Sequence, residues 1–133
     1  MLPEAAAACI YLAAQAANLP PPILMTVLTV EAGHEGTHSP NSNGSEDYGP
    51  GQINTVWVDE IARTIHQSPE TTRALLRYDG CFNIRVTANL LRRSRRTHRS
   101  SPRLGRTRDG SARRTWNRSD SDDRQLVGRY APV

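Results

Sequence analysis

Residues 22–33 read Pro-Ile-Leu-Met-Thr-Val-Leu-Thr-Val-Glu-Ala-Gly, and this stretch decides the fold. Pro22 suits the first turn of a helix, where its missing N–H costs little. The apolar residues that follow recur at helical spacing, and Gly33 stands where a C′ glycine would end the helix. Glu31 falls one turn after Val27 and Leu28 and two turns after Leu24, so the register puts a carboxyl on an apolar stripe. Burial there disfavours the charged form, which is what a general acid needs to hold its proton near neutral pH. An ordinary acidic residue at a fraying helix end is the other reading. Against it, a carboxylate near a helix C-terminus is mildly unfavourable.

Working outward, residues 4–18 are Ala-rich and free of breakers, which predicts a helix, closed by Asn18 and Pro20–Pro22. Residues 34–50 are rich in Gly, Asn, Ser, Pro and His. They predict a long polar loop with room for a small hairpin around Asn43-Gly44, and loops of this length are usually functional or disordered. Residues 55–66 place Val56, Trp57, Ile61, Ala62 and Ile65 at helical spacing. Ser68-Pro69 is an N-cap followed by Pro at the first helical position, opening a short helix to about Leu76. Asp79 can cap a further helix over roughly 80–92, with Cys81, Ile84, Ala88 and Leu91 on one side. No β-rich segment appears, so the expected class is all-α with a loop-rich edge.

The chain has 133 residues, enough for one domain rather than two. Its charge is unevenly distributed. Residues 1–91 hold four Arg against nine acids, residues 92–133 hold thirteen Arg against four Asp, and these net charges of −5 and +9 combine to the overall +4. Lys is absent. Residues 93–133 are Arg/Ser-rich and aperiodic, a composition that predicts a disordered tail. Runs of Arg can bind nucleic acid or an acidic polymer, or simply be solvated. The abrupt change of composition in mid-helix also fits a shifted reading frame. No stretch is apolar enough to span a bilayer. The start Met-Leu-Pro-Glu lacks the basic and apolar regions of a secretory signal. Ala5–Ala8 reads as a first helical turn or as the remnant of a cleavage region. Cys9 and Cys81 are either two buried thiols or one disulfide closing a long loop, which needs an oxidising compartment.

Asp47-Tyr48-Gly49-Pro50-Gly51-Gln52-Ile53-Asn54, followed by Trp57, is the second informative block. Gly49 and Gly51 allow close backbone approach. Gln52 and Asn54 can both donate and accept hydrogen bonds, as sugar hydroxyls require, and Tyr48 or Trp57 offers an apolar face to a pyranose ring. A turn with Asn54 capping the next helix explains the same residues structurally. In combination, ILMTVLTVEAG (23–33), NSNGSEDYGPGQINTVW (41–57) and CFNIRVTANLLRR (81–93) resemble the lytic transglycosylase domain, in particular the small members that accompany secretion and conjugation machines. The resemblance covers about residues 9–93.

The resemblance implies a small helical lysozyme-like domain over residues 4–92, α+β at most, that binds peptidoglycan glycan strands in the periplasm or cell envelope without a cofactor. Glu31 would be the catalytic acid, with Tyr48, Gly49, Gln52, Ile53, Asn54 and Trp57 as substrate-binding residues. Components of a type III or type IV secretion or conjugation machine would be partners. Members of the group often pair a cysteine near the first helix with one before the last, which fits Cys9 and Cys81. The chain departs from the family in two places. Ala32-Gly33 replaces the usual Ser after the catalytic Glu. The Arg-rich stretch stands where the family has a Tyr-containing helix that closes the cleft, with Tyr130 as the tyrosine found there. Glu35, Glu46 and Asp47 are possible second carboxylates, and one placed close to Glu31 would allow ordinary hydrolysis.

Two rival functions remain. His34-Glu35-Gly36-Thr37-His38 matches the zinc-peptidase pattern H-E-x-x-H, which works only on a helix. Gly33, Gly36 and Ser39-Pro40 argue against a helix there and leave no metal expected. The other rival is a non-catalytic module that binds glycan, or nucleic acid through the tail.

Overall fold

The computed structural model describes residues 3–100. The chain runs through α1 (Pro3–Ala16), α2 (Pro21–Glu31), β1 (His38–Pro40), β2 (Glu46–Tyr48), β3 (Ile53–Asn54), a 3-10 turn (Thr55–Trp57), α3 (Val58–Ile65), α4 (Pro69–Tyr78) and α5 (Gly80–Ser100). The helical expectation holds for every segment assigned to a helix. The loop-rich edge is where the all-α class needs correction, because it folds into a three-stranded antiparallel sheet in the order β1-β2-β3. His38 pairs with Tyr48 and Pro40 with Glu46 across the first ladder; Asp47 pairs with Asn54 and Tyr48 with Ile53 across the second. The first two strands form the hairpin around Asn43-Gly44, with Gly44 at φ 83°. Its closing turn is held by Asn41 N–H donating to the Ser45 carbonyl and Gly44 N–H to the Asn41 carbonyl.

Helix ends follow local chemistry. Ser68 Oγ accepts from Thr71 N–H at 3.0 Å, with Pro69 opening α4. Asp79 Oδ1 accepts from Phe82 N–H at 2.9 Å at the start of α5, and Asn54 Oδ1 accepts from Val56 N–H at 3.0 Å. The third predicted helix begins as a 3-10 turn, which changes its register. Val58 therefore faces the core, while Val56 is 52% exposed.

α5 is the axis of the fold. One side of it carries Ile84, Ala88 and Leu91 against Ala13, Ala14 and Ala17 of the first helical segment and Leu24 of α2. Another carries Val86 and Leu90 against Tyr48, Ile53, Val58, Ile61 and Leu76. At 100° per residue these two sides flank a third, occupied by the fully buried polar residues Asn83 and Thr87. Small side chains on α1 let it approach α5 closely, and the Cys9–Cys81 disulfide locks the pair, with Cα atoms 5.3 Å apart.

α5 continues past Leu91 to Ser100, so residues 93–100 are helical and the tail does not begin at 93 as composition suggested. Arg is a good helix former, no Gly or Pro occurs before Pro102, and a helix anchored by packing extends at little cost. The expected disorder of residues 101–133, and Tyr130 with it, lie outside the described residues. Among the described residues no helix is long and apolar enough to cross a membrane.

Because the disulfide joins residues 72 apart, its reduction is expected to destabilise the fold by about 4 kcal/mol. Guanidinium unfolding with and without dithiothreitol should show this shift in midpoint, and Cys9→Ser/Cys81→Ser should unfold like the reduced chain.

Candidate active site

α2 delivers Glu31 at its last residue. Leu24 is fully buried, Val27, Leu28 and Glu31 are half-buried, and Val30 on the other side is 75% exposed. The register that put the carboxyl on the inward face therefore holds. The helix closes one residue earlier than the sequence suggested. Ala32, not Gly33, takes the left-handed conformation (φ 52°) and donates to the Leu28 carbonyl at 3.1 Å. Gly33 is required for a different reason. A Cβ there would collide with the Gly49 carbonyl oxygen and come within 2.6 Å of Gln52 Nε2. The end of α2 is thus seated directly on the turn formed by residues 49–52.

That turn is built from below by Asn83. Its Nδ2 donates to the carbonyls of Tyr48 and Leu76, both at 2.8 Å, and its Oδ1 accepts from Gly51 N–H at 2.8 Å. Gly49 sits at φ 66°, and a Cβ on it would lie 2.5 Å from both Asn83 Nδ2 and the Leu76 oxygen. Gln52, also left-handed (φ 48°), folds back so that Nε2 donates to the Gly49 carbonyl at 3.0 Å. Side chains with local hydrogen-bonding capacity tolerate this backbone region better than most. Asn83 and Thr87 were not singled out from sequence. The available signal was a polar i, i+4 pair at the centre of an otherwise apolar helical arc.

The expected binding residues divide into two groups. Gly49 and Gln52 lie against Gly33, close in the chain to Glu31, with Gln52 only 7% exposed. Tyr48 and Ile53 are core side chains, 6% and 0% exposed. Asn54 works structurally: besides capping the 3-10 turn it donates to Asp47 Oδ1 at 2.8 Å and to Ser45 Oγ at 3.1 Å. Trp57 is on a different surface, in a groove between α3 and α5 that Glu31 does not line. Beside the end of α2, Leu28, Gly33, His34, Glu35, Pro50 and Ile84 help to line a smaller cavity of about 320 Å³.

The neighbouring carboxylates are engaged. Asp47 accepts from Asn41 and Asn54, Glu46 accepts from the Tyr48 hydroxyl, and Glu35 accepts from Gly80 N–H at 3.3 Å, at the positive end of α5. Burial first, and then the hydrogen bond to Glu46, raises the Tyr48 pKa above its ordinary 10.0.

The zinc pattern fails on geometry. Residues 34–38 form a turn running into β1 rather than a helix. His34 Nδ1 is bonded to Thr37 Oγ1, and His38 faces Glu46 at 4.0 Å across the ladder. Among the described residues no group of three His, Cys, Asp or Glu side chains could hold a metal ion.

No protein-family model matches the chain, and no curated protein matches it.

Two outcomes are expected from this geometry. Asn83→Ala leaves one buried N–H and two buried carbonyls without a partner and should cost about 3–5 kcal/mol, read as a lower urea midpoint. Tyr48 should ionise at higher pH than an exposed tyrosine. Above pH 10 the unfolded chain then binds fewer protons than the native one, so stability falls as pH rises toward the native value. Tyr48→Phe should flatten that fall in alkaline unfolding curves.

Proposed function

We propose that this chain is a peptidoglycan lytic transglycosylase of the cell envelope. It would cleave the bond between N-acetylmuramic acid and N-acetylglucosamine and open the wall locally for a secretion or conjugation apparatus. The observation that carries the reading is the seating of the Glu31 helix end, through Gly33, on the Gly49–Gln52 turn. That contact joins two of the three sequence blocks on which the resemblance rests. Glu31 is half-buried on the inward face of α2, a setting that suits a general acid. The Cys9–Cys81 disulfide suits an oxidising compartment such as the periplasm.

In this mechanism Glu31 donates its proton to the glycosidic oxygen as the bond from that oxygen to muramic C1 breaks. The 2-acetamido group stabilises the positive charge developing at C1. The Glu31 carboxylate then takes the proton of the same sugar's 6-hydroxyl, whose oxygen bonds to C1 and closes a 1,6-anhydro ring. One carboxyl serves both steps, unlike the two-carboxylate scheme of most glycosidases.

Digestion of purified peptidoglycan is expected to release anhydromuropeptides, and Glu31→Gln should lower the rate by at least about a hundredfold while leaving the unfolding midpoint near that of the parent chain. Reducing-end products would assign a hydrolase instead. Retention of the chain on peptidoglycan with no products from either protein would leave a glycan-binding module.

A further inference from the structure

The two halves of α1 are held in different ways. The second half is packed: Ala13 and Ala14, with Ala17 just beyond the helix, are buried in one cluster with Leu24, Ile84 and Ala88. The first half is not. From residue 4 to residue 12 no side chain is buried. Ala6, Cys9 and Ile10 are half-buried, and the rest are exposed, including Tyr11 and Leu12. Ile10 and Cys9 touch only the edge of the cluster, which supplies a fraction of what a fully buried side chain would. A helical end without tertiary packing gains little per residue and frays, even when rich in Ala. What fastens this half is the covalent bond from Cys9 to Cys81, in the opening turn of α5.

The same half of α1 forms a wall. Ala6 and Ile10 line the cavity of about 320 Å³ beside the end of α2, together with Leu28, His34, Pro50 and Ile84. Cys9 precedes Ile10 directly, and Cys81 lies about one helical turn before Ile84. The bond therefore spans the seam between the α1 side of the cavity and its α5 side.

We infer that the Cys9–Cys81 disulfide is a redox-sensitive clamp. It holds the first half of α1 in place as a wall of this cavity, and its reduction releases that half while the second half and α5 stay packed. The reaction is thiol–disulfide exchange with a dithiol reductant. A thiolate of the reductant attacks one cysteine sulfur, the S–S bond breaks, and the other cysteine leaves as a thiolate. The second thiol of the reductant then displaces the first cysteine. Two electrons and two protons pass to the cysteines, and the dithiol becomes a disulfide. Both cysteines are only half-buried, which gives such a reagent access. A chain made in a reducing compartment would gain this wall only on entering an oxidising one. None of this requires a reaction at Glu31.

Hydrogen exchange of the full chain, read by mass spectrometry with the disulfide intact and then in dithiothreitol, tests the clamp. In α1 the amides of residues 7–13 bond to the carbonyls of residues 3–9, and those of 14–17 to residues 10–13. With the bond intact, both groups should exchange at least about a hundredfold slower than an unstructured chain. After reduction, residues 7–13 should come within about tenfold of the unstructured rate, while 14–17 and the α5 amides of 83–91 stay slowed about a hundredfold or more. Hydroxyl-radical footprinting of Cys9→Ser/Cys81→Ser, which needs no reductant, reads the cavity. Oxidation of Ile84, 1% exposed, should rise severalfold over the parent chain, and that of Ile53, 0% exposed in the other cluster, should not change. Any of four results would overturn the inference: fast exchange of 7–13 with the bond intact, equal protection of 7–13 and 14–17 after reduction, loss of protection in both groups and α5 together, or Ile84 oxidation no higher than the parent's. The third would mean that the bond stabilises the fold as a whole and clamps no part of it in particular.

Discussion

The side-chain amide of Asn83 is the constraint on which the rest of the structure depends. It sits on the buried arc of α5 between two apolar sides, and all three of its hydrogen bonds go to backbone atoms, those of Tyr48, Gly51 and Leu76. A polar group in such a place is costly unless fully paired. Full pairing in turn fixes where α4 ends and how the 48–51 turn is folded. Gly49 follows from it, because no Cβ fits between that turn and the amide. The sheet, the turn, α4 and α5 are thereby referred to one side chain.

Around that point the fold is a set of mutual attachments to α5. The disulfide ties α1 to its first turn, Glu35 and Asp79 bind its opening N–H groups, and the two hydrophobic clusters grip opposite sides. Gly36 and Arg77 add a reciprocal pair: Gly36 N–H donates to the Arg77 carbonyl, and Arg77 Nε donates to the Gly36 carbonyl. This stitches the loop to α4. A loop with so many fixed points can carry a site, because the side chains on it inherit a defined position.

For the catalytic reading, the consequence is that Glu31 and the Gly49–Gln52 turn are not independent features. Gly33 has no room for a Cβ against the Gly49 carbonyl oxygen and Gln52 Nε2, so the helix end is seated directly on the turn. The amides first read as sugar ligands turn out to hold protein. Gln52 closes its own turn and Asn54 organises Asp47 and the 3-10 turn. Their part in a glycan site would then be to shape the surface beneath the sugar and hold it rigid. Trp57, read as a stacking platform, belongs to the groove on the other side of α5.

The sequence by itself determined the five helical segments, the caps at Ser68, Asn54 and Asp79, the hairpin at Asn43-Gly44 and the inward register of Glu31. These rest on local chemistry and on a period of 3.6, which neighbouring residues reveal. Only the tertiary structure decided the rest. The strands, two or three residues long, are too short and too polar to show a period of two, so the sheet exists because Tyr48 and Ile53 find a core to enter. The continuation of α5 into the Arg-rich stretch was hidden because composition registers charge, while the helix persists through packing further upstream. Gly33 looked like a helix cap and is a contact surface, a difference visible only once Gly49, 16 residues later in sequence, is folded against it. Asn83 was the hardest to read. A buried amide in a helix has no local signature of its partners, which lie 7, 32 and 35 residues away along the chain.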